Sequence, residues 1–361
     1  YYVIKVRKQS SSNNADFAVF YNTQAPVTIT AISHYVSGTT CNVDVTLSGT
    51  KTTLEKVWVR YSKDNWATSS TVEASNNISG NTWRAQITLN PGEVMSYYAF
   101  TTLNLTSAPA EGDADFYTIN YLNNSGSNYI AYGNLTGDYY IPKGSHPKGF
   151  NSLAEAISTL NTSGASGTVR FLIDDNLSET GANLRIYRPD LNATNNLVIK
   201  PASGKTPTIT ITGCVTTGEV AYSGLTIDST DYVTIDGSNT EGGTTRDLTF
   251  AMADGTNGRI VIQLYEDADY ITIKNVVIKY NQTPAGPTTS RGIYANGLAG
   301  GASDSVLIQN CKIGDGTYDP AYAISITGYG TSPFIYATKI YIRNNELYGT
   351  LRRIYFYYVG S

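Results

Sequence analysis

The sequence predicts an all-β protein in which an immunoglobulin-like β-sandwich is followed by a right-handed parallel β-helix with a short N-terminal capping helix. The composition supports this fold class, because the 361 residues include 29 Tyr and 33 Gly but only 15% charged residues. Such a composition favours many strands joined by short turns. Short alternating segments occupy the first third of the chain, and a longer internal repeat follows them.

The domain boundaries follow from changes in this pattern. Residues 1–23 form an N-terminal strand segment, and residues 24–121 hold six or seven strand-sized segments, as an immunoglobulin-like sandwich does. Residues 122–145 are rich in Asn, Ser, Gly and Tyr, which indicates a linker. Residues 146–361 are assigned to the parallel β-helix.

One helix is predicted at the start of the β-helix, over about residues 152–160. Ser152 and Glu155 form a capping box. The apolar positions Leu153, Ala156, Ile157 and Leu160 then fall on one helix face. A short amphipathic helix ahead of an all-β region predicts a cap over the end of its hydrophobic core.

The β-helix prediction depends on four segments that align with one another. They begin at residues 231, 269, 304 and 338, so the separations are 38, 35 and 34 residues. Three strand-sized pieces recur in the same order within each unit, as in the cross-section of a parallel β-helix. Alternating apolar residues should then stack on their equivalents one turn away, in the columns Val233, Ile271, Val306, Ile340 and Ile235, Ile273, Ile308, Ile342.

Asparagine follows three of these segments, at Asn275, Asn310 and Asn344. Asparagine tolerates the left-handed backbone, so these residues should form a column at one corner of the coil and bond to one another. Two other repeat architectures fit less well. A leucine-rich repeat would need regular Leu spacing, and a propeller would need four antiparallel strands in each unit.

Several motifs between Gly133 and Gly243 resemble those of large secreted bacterial β-helix proteins of the pectate-lyase-like superfamily, and in particular surface proteins exported by type IX secretion. The motifs are Tyr139-Tyr140-Ile141-Pro142, Phe150-Asn151-Ser152-Leu153-Ala154-Glu155-Ala156-Ile157, Leu197-Val198-Ile199-Lys200-Pro201-Ala202-Ser203-Gly204 and Tyr232-Val233-Thr234-Ile235-Asp236-Gly237. The segments Val57-Trp58-Val59-Arg60-Tyr61 and Asp64-Asn65-Trp66 resemble the immunoglobulin-like modules that accompany them. The resemblance implies a fold and a location rather than a reaction.

Composition also limits the partners. The net charge is −4 and the 25 basic residues are scattered, so no surface for nucleic acid is expected. No apolar run is long enough to insert into a membrane as a helix. The chain begins at Tyr1 without a charged n-region, which indicates a leader that was either removed or not included in this sequence. Together with the resemblance, this predicts a secreted, extracellular or cell-surface protein.

No catalytic residue, metal ligand or cofactor is assigned, although the acidic residues leave Ca²⁺ as an option. A β-helix lyase would need acidic calcium ligands beside a base, but Arg246, Arg259 and Arg291 have no acid cluster paired with them. The cysteines do not indicate a metal site, because Cys41, Cys214 and Cys311 lack metal-ligand spacing. His34 and His146 are isolated in the sequence, so neither indicates a metal or acid–base site. The three cysteines are expected to be buried apolar residues.

Two sets of aspartates need separate interpretations. A glycoside hydrolase needs two or three carboxylates around the scissile bond, and Asp236, Asp267 and Asp304 are the best candidates. Asp231 and Asp269 occupy equivalent repeat positions just before a strand, which indicates that they cap turns.

The sequence favours a non-catalytic extracellular structural or adhesive protein, such as a self-assembling surface or filament subunit. The N-terminal strand could add to a sheet of the next molecule. The last turn has no cap, so either more chain follows it or a neighbouring subunit covers its edge. The residues concerned are Tyr1, Tyr2, Val3, Ile4, Val6, Ile354, Tyr355, Phe356 and Tyr357.

The alternative is a glycan-binding module that uses the sandwich aromatics Trp66, Trp58 and Trp83 together with the tyrosine-rich β-helix face, so polysaccharide is a second candidate partner. A polysaccharide lyase or glycoside hydrolase is the third hypothesis, and whether the chain is an enzyme stays open.

Overall fold

The computed structural model describes residues 2–8, 15–21, 24–103, 107, 109, 117–215, 222–286 and 288–360. The chain divides into two compact units, residues 1–134 and residues 135–361. One α-helix is described in full, α1 (Leu153–Ser163), and two short 3₁₀ turns cover Asn124–Gly126 and Gly181–Asn183. Nearly all other regular structure is strand, which confirms the all-β fold class.

The N-terminal unit consists of antiparallel strands: β1 (Tyr2–Lys8), β2 (Ala15–Tyr21), β3 (Ile29–Ser37), β4 (Thr40–Leu47), β5 (Glu55–Ser62), β6 (Ser70–Glu73), β7 (Asn76–Ser79), β8 (Thr82–Thr88), β9 (Val94–Leu103), β10 (Asn120–Leu122) and β11 (Tyr129–Tyr132). One sheet has the order β3-β4-β8-β7, and the other has the order β10-β9-β5-β6 with β11 also paired to β9. Strands β1 and β2 form a separate hairpin.

Both larger sheets contribute to a single apolar core. Val43 and Val45 of β4, Val57 and Val59 of β5, and Met95 of β9 are all fully buried in it. These positions alternate along each strand, because successive side chains point to opposite faces of a sheet.

The N-terminal strand is paired within the chain. Strand β1 runs antiparallel to β2, with Tyr2 opposite Tyr21 and Lys8 opposite Ala15. The sequence predicted that Tyr2, Val3, Ile4 and Val6 would be available to a second molecule, but one edge of this strand is already occupied. Tyr1 lies outside the described residues.

The second unit is a parallel β-solenoid of about seven turns built from three sheets. The first sheet contains β12 (Leu135–Ile141), β13 (Ala165–Ile173), β16 (Asn196–Pro201), β19 (Val233–Asp236), β22 (Thr272–Lys274), β25 (Leu307–Gln309) and β28 (Tyr341–Arg343). The second contains β14 (Leu177–Thr180), β17 (Thr208–Thr212), β20 (Leu248–Met252), β23 (Val276–Tyr280), β26 (Lys312–Ile313) and β29 (Glu346–Leu347). The third contains β15 (Arg185–Ile186), β18 (Ser223–Asp228), β21 (Ile260–Tyr265), β24 (Arg291–Asn296), β27 (Tyr322–Thr327) and β30 (Arg352–Tyr357).

The predicted register of the repeat is confirmed. Ile235 pairs with Ile273, Ile273 with Ile308, and Ile308 with Ile342, all in the first sheet. The first three of these side chains are fully buried. The stacked isoleucines therefore form the core that joins one turn to the next.

The predicted corner position of the three asparagines is confirmed, and a side-chain hydrogen bond joins two of them, Asn275 and Asn310. Asn275, Asn310 and Asn344 have left-handed backbones with φ of 59°, 53° and 53°. The Asn310 side-chain amide donates to Oδ1 of Asn275 over 2.8 Å, and that of Asn275 donates to Oδ1 of Asp236 over 2.7 Å. The column thus satisfies buried polar groups at a corner where the backbone turns sharply.

Helix α1 forms where the capping box predicts it and extends to Ser163 rather than ending near residue 160. The Ser152 hydroxyl accepts a hydrogen bond from the amide of Glu155 over 3.1 Å. Leu153, Ile157 and Leu160 are buried, and the helix contacts β12, β13, β14 and β15, which include strands of all three sheets. Its apolar face therefore covers the first turn of the solenoid.

Residues 122–145, predicted as a linker, contain two paired strands instead. Strand β11 pairs with β9 in the N-terminal unit, and β12 pairs in parallel with β13 in the solenoid. Leu135, Tyr139 and Ile141 are buried because alternate residues of β12 point into the solenoid core. The boundary between the units falls at Asn134 and Leu135, and the solenoid begins before residue 146.

Candidate functional site

The three tryptophans of the N-terminal unit occupy different environments. Trp58 is only 3% exposed, packs on Phe100, and donates its indole N–H to the hydroxyl of Thr102 over 2.8 Å. Trp83 is half-buried against the core, with the Lys51 ammonium 4.2 Å from its ring centroid. Trp58 and Trp66 both lie near Tyr98, whereas Trp83 packs against the apolar core of the unit.

Trp66 lies in a tight loop that hydrogen bonds hold in place. Its backbone has φ of 67°, a left-handed conformation that is rare for an aromatic residue. The Ser62 hydroxyl accepts from the amide of Trp66 over 2.8 Å, and the carboxylate of Asp64 accepts from both the amide and the hydroxyl of Thr68. These bonds lower the pKa of Asp64 to about 2. The loop is therefore ordered around an ionised carboxylate.

A shallow pocket opens beside this loop. It has a volume of about 290 Å³ and is lined by Tyr61, Ser62, Lys63, Asp64, Thr68, Ser69 and Ser70. The Trp66 ring lies 5.7 Å from the ring of Tyr98, tilted by 35°. The pocket lining itself combines the ring of Tyr61 with several hydroxyls and the charged side chains of Lys63 and Asp64.

In the solenoid, three aspartates form a ladder that runs from turn to turn. Oδ1 of Asp231 accepts from the amide of Asp269 over 2.9 Å, and Oδ1 of Asp269 accepts from the amide of Asp304 over 2.7 Å. Asp304 in turn accepts from the amide of Thr338. Asp231 and Asp269, which the sequence predicts as turn caps, therefore accept hydrogen bonds from backbone amides of the next turn.

The ladder places like charges close together. Burial, and then the nearby charges of Asp267, Asp231 and Asp304, raise the pKa of Asp269 to about 6, although a backbone hydrogen bond opposes the shift. Burial and the charges of Asp231 and Asp304 raise the pKa of Asp267 as well. Ionised Asp269 is therefore less favourable in the folded chain than in the unfolded chain.

We expect Asp269→Asn to stabilise the solenoid at neutral pH. An acid whose pKa rises on folding lowers the free energy of unfolding, and this loss is complete at pH values above the folded pKa. For Asp269 the loss of stability shrinks as the pH falls from about 6 towards 3.8. Asparagine keeps a side-chain oxygen that can accept the hydrogen bond from the backbone amide of Asp304. Because the side chain is only half-buried, solvent screening reduces the gain to about 1 kcal/mol.

Thermal melts of the wild type and of Asp269→Asn at pH 7 and pH 5 would test this expectation. The variant should melt higher than the wild type at pH 7, and this difference in melting temperature should be smaller at pH 5. Asp138→Asn is a matched control, because Asp138 forms an exposed ion pair with Arg170 at 3.1 Å and has no ladder contact. An unchanged or lower melting temperature of Asp269→Asn at pH 7 would contradict the argument.

The carboxylates proposed for a glycoside hydrolase do not converge. Asp236 ends β19, where its Oδ2 lies 3.1 Å from the ammonium of Lys274. Asp267 and Asp304 precede β22 and β25, at the opposite end of the first-sheet strands. Strands of this length separate the two ends by about 10 Å or more. The structure therefore brings Asp267 and Asp304 together but leaves Asp236 apart from them.

The three arginines considered as bases have structural partners. Arg246 donates to the backbone carbonyl of Asn310 over 2.8 Å and to the carboxylate of Glu346 over 2.9 Å, so it joins distant turns. Arg259 lies 4.7 Å from the ring centroid of Tyr222. Arg291 lies 4.2 Å from the centroid of Tyr294 and 5.4 Å from that of Tyr322.

The histidines and cysteines also have structural environments. His34 bonds to the Tyr97 hydroxyl over 2.8 Å, and His146 stacks on Tyr140 with ring centroids 3.6 Å apart. The cysteines Cys41, Cys214 and Cys311 are free and buried, as predicted, and burial raises their pKa values. Among the residues that the structure describes, no three His, Cys, Asp or Glu side chains are arranged to hold a metal ion.

A column of aromatic side chains beside the aspartate ladder was missed in the sequence. The rings of Tyr232 and Tyr270 stack with centroids 4.5 Å apart and planes 11° from parallel, and Tyr270 is 49% exposed. The signal was present in the aligned repeat, where an Asp-Tyr pair opens two successive units. Residues at equivalent positions on successive turns are neighbours in a solenoid, so this alignment could have predicted the stack.

The last described turn exposes side chains that earlier turns bury. Ile354 and Phe356 pair with Ile324 and Ile326, which are fully buried, yet they are themselves 39% and 49% exposed. Tyr355 is half-buried near Tyr322, and Tyr357 is exposed. Four predicted assembly residues therefore lie together on β30.

The helices that the structure describes are too short or too polar to cross a membrane. Comparison with protein-family models, with curated proteins and with solved structures finds no match for this chain.

Proposed function

We propose that this chain belongs to an extracellular structural or adhesive protein in which the β-solenoid is a non-catalytic support. The aspartate ladder is the observation that carries the proposal. Asp231, Asp269 and Asp304 use their carboxylates to bond one turn to the next, and Arg246 bonds across turns to Asn310 and Glu346. Carboxyl oxygens that accept hydrogen bonds from backbone amides of the next turn link successive turns and pair those amides.

Secretion is part of the proposal and rests on the composition and the resemblance to exported β-helix proteins. We further propose a right-handed coil of the pectate-lyase-like kind, since parallel strands joined by crossover connections are almost always right-handed. The two antiparallel sheets around one core in the N-terminal unit support an immunoglobulin-like sandwich there.

Self-association through the last described turn is the specific form of this proposal. Ile354 and Phe356 belong to inward-pointing columns, and β28, β29 and β30 each have one neighbouring strand only among the described residues. We infer that two copies of this chain associate through the exposed side chains of β30, each copy contributing the same face.

Sedimentation velocity of the full chain over a range of concentrations would test this association. We expect the wild type to dimerise and Ile354→Asp with Phe356→Asp to weaken dimerisation by at least about tenfold, because charged groups replace buried apolar area. Tyr187→Asp is the matched control, since Tyr187 is 51% exposed but lies away from the last turn. A wild type that stays monomeric, or a double variant that dimerises like the wild type, would refute the interface.

A further inference from the structure

One corner of the solenoid repeats the same backbone conformation on four successive turns. Tyr232, Tyr270, Ser305 and Lys339 have φ of 54°, 54°, 56° and 53° and each precedes a strand position of the first sheet. The amide of Tyr270 donates to the carbonyl of Asp304, and the amide of Ser305 donates to the carbonyl of Thr338, both over 3.1 Å. Their side chains therefore leave the corner in the same direction, one above the other.

The tyrosine stack at this corner stops after two rings. Centroids 4.5 Å apart match the spacing of about 4.8 Å between neighbouring strands, so each ring occupies one turn. Tyr232 covers one face of Tyr270. The other face points towards the next turn, where Ser305 has no ring. The position that a third ring would take, beside Ser305, is called the open position because no aromatic side chain described in the structure stacks there, in keeping with the 49% exposure of Tyr270.

The open position is bordered by hydrogen-bond acceptors. Asp269 and Asp304 immediately precede Tyr270 and Ser305, and the ladder engages Oδ1 of each carboxylate. A carboxylate has two oxygens and can accept several hydrogen bonds, so the second oxygen can receive a hydroxyl. A flat apolar face beside acceptors for hydroxyl groups matches a pyranose ring, whose C–H face packs on aromatic rings.

We propose that the open position above Ser305 binds one pyranose ring of a neutral glycan, stacked on Tyr270, with sugar hydroxyls donating to Asp269 and Asp304. The ligand is neutral rather than acidic because Asp231 and Asp267 add further negative charge at the same corner. A uronate carboxylate would be repelled there. The site is separate from the self-association surface on β30 and does not depend on it.

Affinity electrophoresis of the full chain in gels containing a soluble α-glucan, a β-glucan or a galactomannan would test the proposal, with polygalacturonate as the acidic comparison. We expect retardation by at least one neutral polysaccharide and none by polygalacturonate. Tyr270→Ala should weaken retardation about tenfold because the stacking surface is lost, whereas Tyr270→Phe should preserve it.

Ser305→Tyr tests the proposed position of the sugar most directly, because this variant would supply a third ring to the stack. The corner accepts tyrosine at this backbone conformation in Tyr232 and Tyr270, so the variant should fold and its melting temperature should be at least that of the wild type. It should nevertheless lose binding, because its own ring fills the position of the sugar. Tyr187→Ala removes an exposed tyrosine elsewhere in the solenoid and should bind like the wild type.

Trp66→Ala separates this site from the loop of the N-terminal unit. Loss of retardation in Trp66→Ala with full retardation in Tyr270→Ala would assign sugar binding to that loop and overturn the proposal. Wild-type retardation in folded Ser305→Tyr would overturn it too, as would the absence of retardation by all three neutral polysaccharides.

Discussion

Replacing Ile308 with alanine is expected to lower the free energy of unfolding of the solenoid by about 3–4 kcal/mol. Ile308 is fully buried and pairs with Ile273 on one side and Ile342 on the other, so its removal leaves a cavity between turns. The neighbouring backbone is held by parallel ladders on both sides and cannot collapse into the space. Gln309→Ala on the same strand removes an outward-pointing side chain and should cost less than about 0.5 kcal/mol.

The two units can be followed separately in this experiment. All three tryptophans, Trp58, Trp66 and Trp83, lie in the N-terminal unit, so tryptophan fluorescence reports its unfolding alone. Far-ultraviolet circular dichroism reports both units. In urea, Ile308→Ala should shift the dichroism transition assigned to the solenoid and leave the fluorescence transition in place. A loss below about 1 kcal/mol would show that the isoleucine column does not hold the turns together.

Gly237→Ala is expected to destabilise the solenoid by about 3 kcal/mol or more. A Cβ atom at this position would lie 1.9 Å from the carbonyl oxygen of Asn275 and 2.5 Å from its carbonyl carbon. Both are backbone atoms of the adjacent turn, so relief requires the strands β19 and β22 to separate. The hydrogen bond from the Gly237 amide to the carbonyl of Lys274 would be strained by the same movement.

Gly300→Ala provides the matched control for Gly237→Ala. Its added Cβ would approach the carboxylate of Glu266 at 3.1 Å, and that flexible side chain can move away. We expect a change within about 0.5 kcal/mol for Gly300→Ala. Urea unfolding followed by circular dichroism would measure both variants, and equal stability of the two would contradict the close-contact explanation.

Gly237 also shows a feature that the repeat pattern does not explain, namely why one corner position is glycine. It aligns with Asn275, Asn310 and Asn344, but those three residues have left-handed backbones and side chains that fit the corner. At Gly237 the carbonyl of Asn275 occupies the space that a side chain would need. The alignment predicts that the position is a corner, and only the packing of the next turn explains why glycine occupies it.

The segment predicted as a linker was misassigned for a related reason. Its Asn, Ser and Gly residues are typical of loops, while Leu135, Tyr139 and Ile141 are too few to mark a strand by periodicity alone. Strand β12 is stabilised by β13, which lies some thirty residues later in the sequence. Local composition carries no information about such a partner.

The sequence alone determined the all-β class, the stacked turns, the inward isoleucine columns and the left-handed asparagines. These features repeat at a nearly constant interval, and a periodic pattern fixes which side chains point inward. Tertiary structure decided which acids form the ladder, that Trp58 is buried while Trp66 is held in a loop, and that the tyrosine stack ends above Ser305. Those outcomes depend on which residues of different turns or sheets are in contact. The connections between strands differ in length, so the sequence interval alone does not show which residues meet.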